Sequence, residues 1–179
     1  MGWVVSAVKL PIFLDSIGIT VAAILGGPFV AAAVAIATTL LGTVLFSPVL
    51  WAFTHTAILI GFLSYFFAQR GFYRKWFTAI LAGFIIGICA AAVSAPVAAY
   101  VFGGATAGGV DAITLAFRSA GKGILEAVFY SGFTSEQLDK PLVSFIAYLL
   151  VHTLSRRTLA YFPGADRRIH KPAETPPAT

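Results

Sequence analysis

The sequence predicts an all-α polytopic membrane protein, and three observations carry that class. From Ser16 to Gln69 the chain runs 54 residues without an Asp, Glu, Lys or Arg, and from Trp76 to Val110 it does so for 35 more. A charge at the centre of a bilayer costs about 3 kcal/mol on insertion scales, so helices that face lipid exclude it. Charged residues make up 11% of the chain and mean hydropathy is +0.90; soluble domains carry about 25% charged residues. The charges that remain are gathered into short islands between and after the apolar runs.

Proline and glycine divide the runs into elements. Residues 14–26 read as a short apolar helix, broken by Gly27 and Pro28. A second helix spans 29–46 and is stopped by Ser47 and Pro48. A third spans 49–68 and ends at a basic turn holding Arg70, Arg74 and Lys75. The fourth, 76–101, is long, with Pro96 expected to kink its last turn. Residues 103–109, GGATAGG, are too rich in glycine for helix. The last apolar helix is expected over 141–161, with Pro141 in its first turn, where its missing N–H costs nothing. Residues 1–162 then form one transmembrane bundle, and the polar, proline-rich residues 163–179 form a disordered tail. At about 20 residues per crossing, 179 residues leave no room for a large soluble domain.

Orientation follows from Lys and Arg placement, which favours the cytoplasmic side. The Arg70/Arg74/Lys75 turn and the Arg156/Arg157/Arg167/Arg168/Lys171 region should share that side, so an even number of crossings separates them. The helices 76–101 and 141–161 already make two. Residues 110–140, which hold Asp111, Arg118, Lys122, Glu126, Glu136, Asp139 and Lys140, are therefore expected at the outer face without crossing. Counting back from Arg70 places the N-terminus outside, with residues 1–11 too short to span. A first helix is expected to be missing or incomplete. The pI near 9.6 does not indicate nucleic acid, because the basic residues flank apolar runs. The single cysteine, Cys89, excludes an intrachain disulfide.

Several side chains stand out as binding candidates. On a helix Asp111, Arg118, Lys122 and Glu126 share one face. That face is either the solvated side of an interfacial helix or a polar lid over an outward pocket. The glycine run before it offers mobile backbone to a lid. Asp15 is either a helix N-cap or a carboxylate at the pocket mouth. His55 is either satisfied inside the bundle or, with Trp51 on the same face, part of an aromatic pocket wall. Ala79, Gly83, Gly87, Ala91 and Ala95 recur every four residues, which allows close helix approach in lipid. The stripe serves packing inside the bundle or, through Gly83, Gly87 and Ala91, docking of another membrane subunit. No zinc-type His/Glu pair, nucleophile–base arrangement or phosphate loop occurs, so the chain reads as neither an enzyme nor a cofactor protein.

Residues 9–20 (KLPIFLDSIGIT) with 25–28 (LGGP) resemble the start of the second helix in substrate-binding (S) components of energy-coupling factor (ECF) vitamin transporters. So do residues 102–111 (FGGATAGGVD), Gly121-Lys122 and Asp139-Lys140-Pro141. The resemblance covers about residues 9–163. It implies a six-helix bundle, here with its first helix missing or incomplete, in a bacterial or archaeal plasma membrane with the C-terminus cytoplasmic. It also implies capture of a vitamin or related small precursor near the outer face. The partners implied are a transmembrane coupling protein and two ATPase subunits, since this sequence has no nucleotide motif. Related folds serve as membrane input domains of signalling systems, which is the alternative function.

Overall fold

In the computed structural model of the chain, residues 16–106 and 110–169 are described, and every regular element among them is helical. Helix α1 (Ile17–Gly26) stops where Gly27 adopts φ 91°, a conformation open to glycine. Pro28 then opens α2 (Pro28–Leu45), where its absent donor is not missed. Within α2, Thr39 donates to Ala35 O at 2.9 Å, the local bond its hydroxyl favours in a helix. Ser47 Oγ accepts from Val49 N at 3.4 Å, and Pro48 begins a 3-10 segment, Pro48–Phe53, that leads into α3 (Thr54–Gln69).

A tight turn, Phe72–Arg74, connects to α4 (Trp76–Tyr100), which continues through Pro96. Its end is closed by Gly104, which takes φ 82° and donates to Ala98 O at 2.8 Å. The short amphipathic helix α5 (Val110–Ser119) follows.

The structure then departs from the sequence reading. Residues 124–153 form one helix, α6 (Ile124–Thr153), with Pro141 in its interior. Pro141 was expected to start a helix. Its lost i−4 bond is tolerated because the residue is buried at a close helix contact, where packing offsets the cost. The outer-face segment expected over 110–140 therefore divides in two. Asp111, Arg118, Lys122 and Glu126 stay at one end of the bundle, whereas Asp139 and Lys140 are buried and Glu136 is nearly so.

Helix α6 runs antiparallel along α4. A Cβ on Gly83 would fall 2.5 Å from Lys140 O and 2.6 Å from Pro141 Cα, and one on Gly87 would fall 3.0 Å from Glu136 O. Further along, Val128 packs with Ala95, Ala98 and Ala99. The small-residue stripe lets these two backbones approach, as such stripes do in lipid.

Among the described residues, three helical stretches are long and apolar enough to cross a membrane: Pro28–Leu45, Pro48–Gln69 and Trp76–Tyr100. Helix α1, with 10 residues, is short of the ~20 a crossing needs.

The segment after residue 162 was expected to be a disordered tail, yet it contributes to the core. After α7 (Arg156–Leu159), helix α8 (Ala165–Ile169) buries Ala165 and Ile169 in one cluster with Leu159, Tyr73, Ile24 and Val151. Arg168 Nη1 donates to Ile24 O at 2.8 Å and Leu25 O at 3.1 Å, satisfying carbonyls at the end of α1 that have no helical partner. The packed bundle thus extends to Ile169. Residues 1–15, where the incomplete first helix was expected, lie outside the described residues, as do 107–109 and 170–179.

Candidate functional site

The densest chemistry in the bundle sits on α6. Glu136 and Lys140 are four residues apart and share a helix face. Lys140 Nζ lies 3.1 Å from Glu136 Oε2 and 2.5 Å from Asp139 Oδ2. Asp139 is 0% exposed and Lys140 3%. Helix α4 makes the setting possible: Gly83 and Gly87 present no side chain, so the α6 backbone seats against them. These are the eighth and twelfth residues of a 25-residue helix, so the charges lie beside its middle. Gln137 Nε2 donates to Phe84 O at 3.2 Å, tying the two helices together at the same level.

Buried hydroxyls extend the polar face in both directions. Towards the basic end, Ser144 Oγ lies 3.4 Å from Tyr73 OH, and Thr20 Oγ1 lies 3.4 Å from Ser64 Oγ. Burial pushes the Tyr73 phenol above its ordinary value, with hydrogen bonds to Ser144 and Ser64 acting against it. Towards the other end, Thr114 of α5 and Ser131 of α6 share a hydrogen bond of 2.6 Å. Ser131, Ser135 and Asp139, spaced by four, are the buried polar stripe of α6.

The binding candidates from the sequence gather at the end where α4 terminates. Trp51, 62% exposed, stands on the 3-10 segment. His55 is exposed with Nε2 3.5 Å from Val93 O. Asp111 accepts from Thr106 N at 3.0 Å and Thr106 Oγ1 at 2.9 Å, which ties Thr106 to the first turn of α5. Arg118 is exposed on α5. Lys122 pairs with Glu126 at 2.6 Å, and that hydrogen bond and charge hold its ammonium above the usual lysine range. No hydrogen bond or ion pair joins any two of Trp51, His55, Asp111, Arg118 and Lys122. Asp15 lies outside the described residues. Gly83, Gly87 and Ala91 are buried, and α6 fills the face in front of the two glycines.

Among the described residues, two open and mostly apolar concavities occur. One lies along Ala112, Ile113, Ala116, Phe117 and Ala120 of α5. The other runs between Pro96 of α4 and Glu126, Phe129 and Tyr130 of α6. Among the described residues no group of His, Cys, Asp and Glu side chains is arranged to hold a metal ion.

Asp139, Lys140 and Pro141 stand out in the sequence as a motif, but the sequence pattern puts Asp139 and Lys140 at the outer face and Pro141 at the start of a helix. The signal that places them inside is the pairing of two four-residue periods. The small-residue stripe of α4 needs a partner helix, and the Ser131/Ser135/Asp139 stripe supplies one.

Fold and site together define an all-helical protein with, among the described residues, three apolar stretches compatible with a membrane and a largely buried ion cluster on α6. No protein-family model matches the chain, and neither a curated protein nor a solved structure does.

Proposed function

We propose that the chain is the membrane-embedded substrate-capture subunit of an ECF-type importer for a vitamin or related small precursor. The observation that carries this reading is the Glu136–Asp139–Lys140 cluster among apolar helices. Ionisable groups in such a setting are expensive, and where they occur they mark solute or ion sites. The S-component resemblance of residues 9–163 supports the more specific assignment. With no nucleotide motif in the chain, energy for uptake comes from two partner ATPases acting through a transmembrane coupling protein.

In this reading α6 crosses beside α4. Its 30 residues reach about 45 Å at 1.5 Å per residue, more than the ~30 Å of hydrocarbon. Together with α2, the Pro48–Gln69 stretch, α4 and the shorter α1, that gives five inserted helices. The basic end faces the cytoplasm and the end bearing Trp51, His55, Asp111, Arg118 and Lys122 faces outward. There Trp51 stacks on a ring, His55 and Asp111 orient polar groups, and Arg118 and Lys122 attract the solute to the mouth. The small number of charges suits a polar or aromatic molecule over a strongly anionic one.

Native mass spectrometry of the purified full-length chain tests the proposal. A co-purified small molecule is expected, with affinity lowered at least tenfold by Asp111→Ala combined with Lys122→Ala. Absence of any bound molecule, together with unchanged vitamin uptake on deletion, would contradict it. Binding without uptake, in cells that supply coupling subunits, would point to a sensory input domain instead.

A further inference from the structure

The end of the bundle built from the Phe72–Arg74 turn, α7 and α8 carries charge almost all of one sign. Seven Lys and Arg residues occur there against one acid, Asp166, among the described residues. Two of the seven are committed internally: Arg74 Nη2 donates to Arg167 O at 2.6 Å, and Arg168 caps α1. The other five, Arg70, Lys75, Arg156, Arg157 and Arg167, are exposed, with the Arg70 guanidinium lying 3.7 Å over the Phe66 ring. They are carried by segments that pack on one another, since Phe72, Leu159, Ala165 and Ile169 share one apolar cluster. The Arg74–Arg167 contact brings the turn and α8 together. Like charges within a Debye length of about 10 Å repel, so gathering cations on these segments works against the docking of α8 onto the bundle.

Exposed aromatic side chains border the same end. Trp76 is 57% exposed, Phe77 64% and Tyr161 84%. Aromatic residues in such positions settle at the headgroup level of a bilayer. The five exposed cations are then at the depth of lipid phosphates, and arginine engages a phosphate through two parallel N–H bonds.

We propose that this end is a binding surface for anionic phospholipid headgroups, which neutralise Arg70, Lys75, Arg156, Arg157 and Arg167 and so hold α7 and α8 docked. The proposal rests on the reading that the bundle lies in a membrane, but not on which solute it captures. It favours lipid over an acidic protein because the cations are bordered by the exposed aromatics Trp76, Phe77 and Tyr161, which suit the headgroup level of a bilayer.

The test uses the full chain in nanodiscs of phosphatidylcholine alone or of phosphatidylcholine mixed with phosphatidylglycerol. The mixed discs are expected to raise the thermal unfolding midpoint by several degrees, on the order of 5 °C, and to slow amide exchange in α7 and α8. Arg156→Gln with Arg157→Gln should lose at least half of that rise, each variant being compared with itself in the two discs. Arg156→Lys with Arg157→Lys should keep most of it. Equal midpoints in the two discs, or a rise that survives the double glutamine change, would overturn the proposal. So would an equal rise from soluble polyglutamate in phosphatidylcholine discs, which would mark an acidic protein as the partner. Both disc faces carry the same lipid, so the outcome does not depend on orientation or on bound solute. A chain that fails to enter discs at all would overturn this proposal and the membrane reading together.

Discussion

Lys140 stands between two carboxylates and is almost wholly buried, and its position sets how the cluster responds to substitution. Glu136 and Asp139 both approach its ammonium, at 3.1 and 2.5 Å. Removing one partner of a buried ion group costs about 3–5 kcal/mol, because the remaining charges are left uncompensated. Lys140→Met is therefore expected to lower the unfolding midpoint in detergent on the order of 10 °C. The triple change Glu136→Gln, Asp139→Asn and Lys140→Met should recover most of that loss. Equal destabilisation by the single and triple variants would show that shape, not charge, holds this contact. The residues were legible in the sequence as a motif but their burial was not. Pro141 reads locally as a helix start, and only the tertiary contact with Gly83 makes an interior proline tolerable there.

At the scale of elements, the α4–α6 contact is decided by what Gly83 lacks. Its Cβ would meet backbone at 2.5 Å, so the two helices would have to separate. Gly83→Ala is expected to destabilise by about 1–3 kcal/mol, the usual cost of overpacking a tight contact. Gly132, inside α6 with nothing within 4 Å of its would-be Cβ, provides the opposite case. Gly132→Ala should stabilise by about 0.5–1 kcal/mol through the lower entropy of the unfolded chain and better helix propensity. Reversible unfolding by denaturant in detergent measures both, and a neutral Gly83→Ala would deny the close approach. The stripe of α4 was readable from its four-residue period. Its partner was not, because a stripe of small residues announces that something packs closely without naming it. The glycine-rich break after α4 was also readable, since Gly103 and Gly104 take φ 59° and 82°. The docking of α8 was not, because its five residues show no period and Arg168 acts through backbone carbonyls far away in sequence.

For the whole molecule, composition alone gave the all-helical class, because two long stretches without charge exclude a solvated surface. The charge falls into three groups that composition does not separate. Asp111, Arg118, Lys122 and Glu126 lie at one end, the basic residues of the turn, α7 and α8 lie at the other, and Glu136, Asp139 and Lys140 lie between. The central claim is that α6 crosses the membrane beside α4 and carries those three charges inside. Cysteine accessibility in a Cys89→Ser background tests it most directly, with single substitutions Ser119→Cys, Leu138→Cys and Arg157→Cys. Leu138 is 54% exposed in the middle of α6, so only lipid would protect a thiol there. The account predicts that a membrane-impermeant maleimide labels Ser119→Cys and Arg157→Cys from opposite faces and leaves Leu138→Cys unlabelled from both. Rapid labelling of Leu138→Cys from the face that labels Ser119→Cys would contradict it, placing that part of α6 in water at the outer surface.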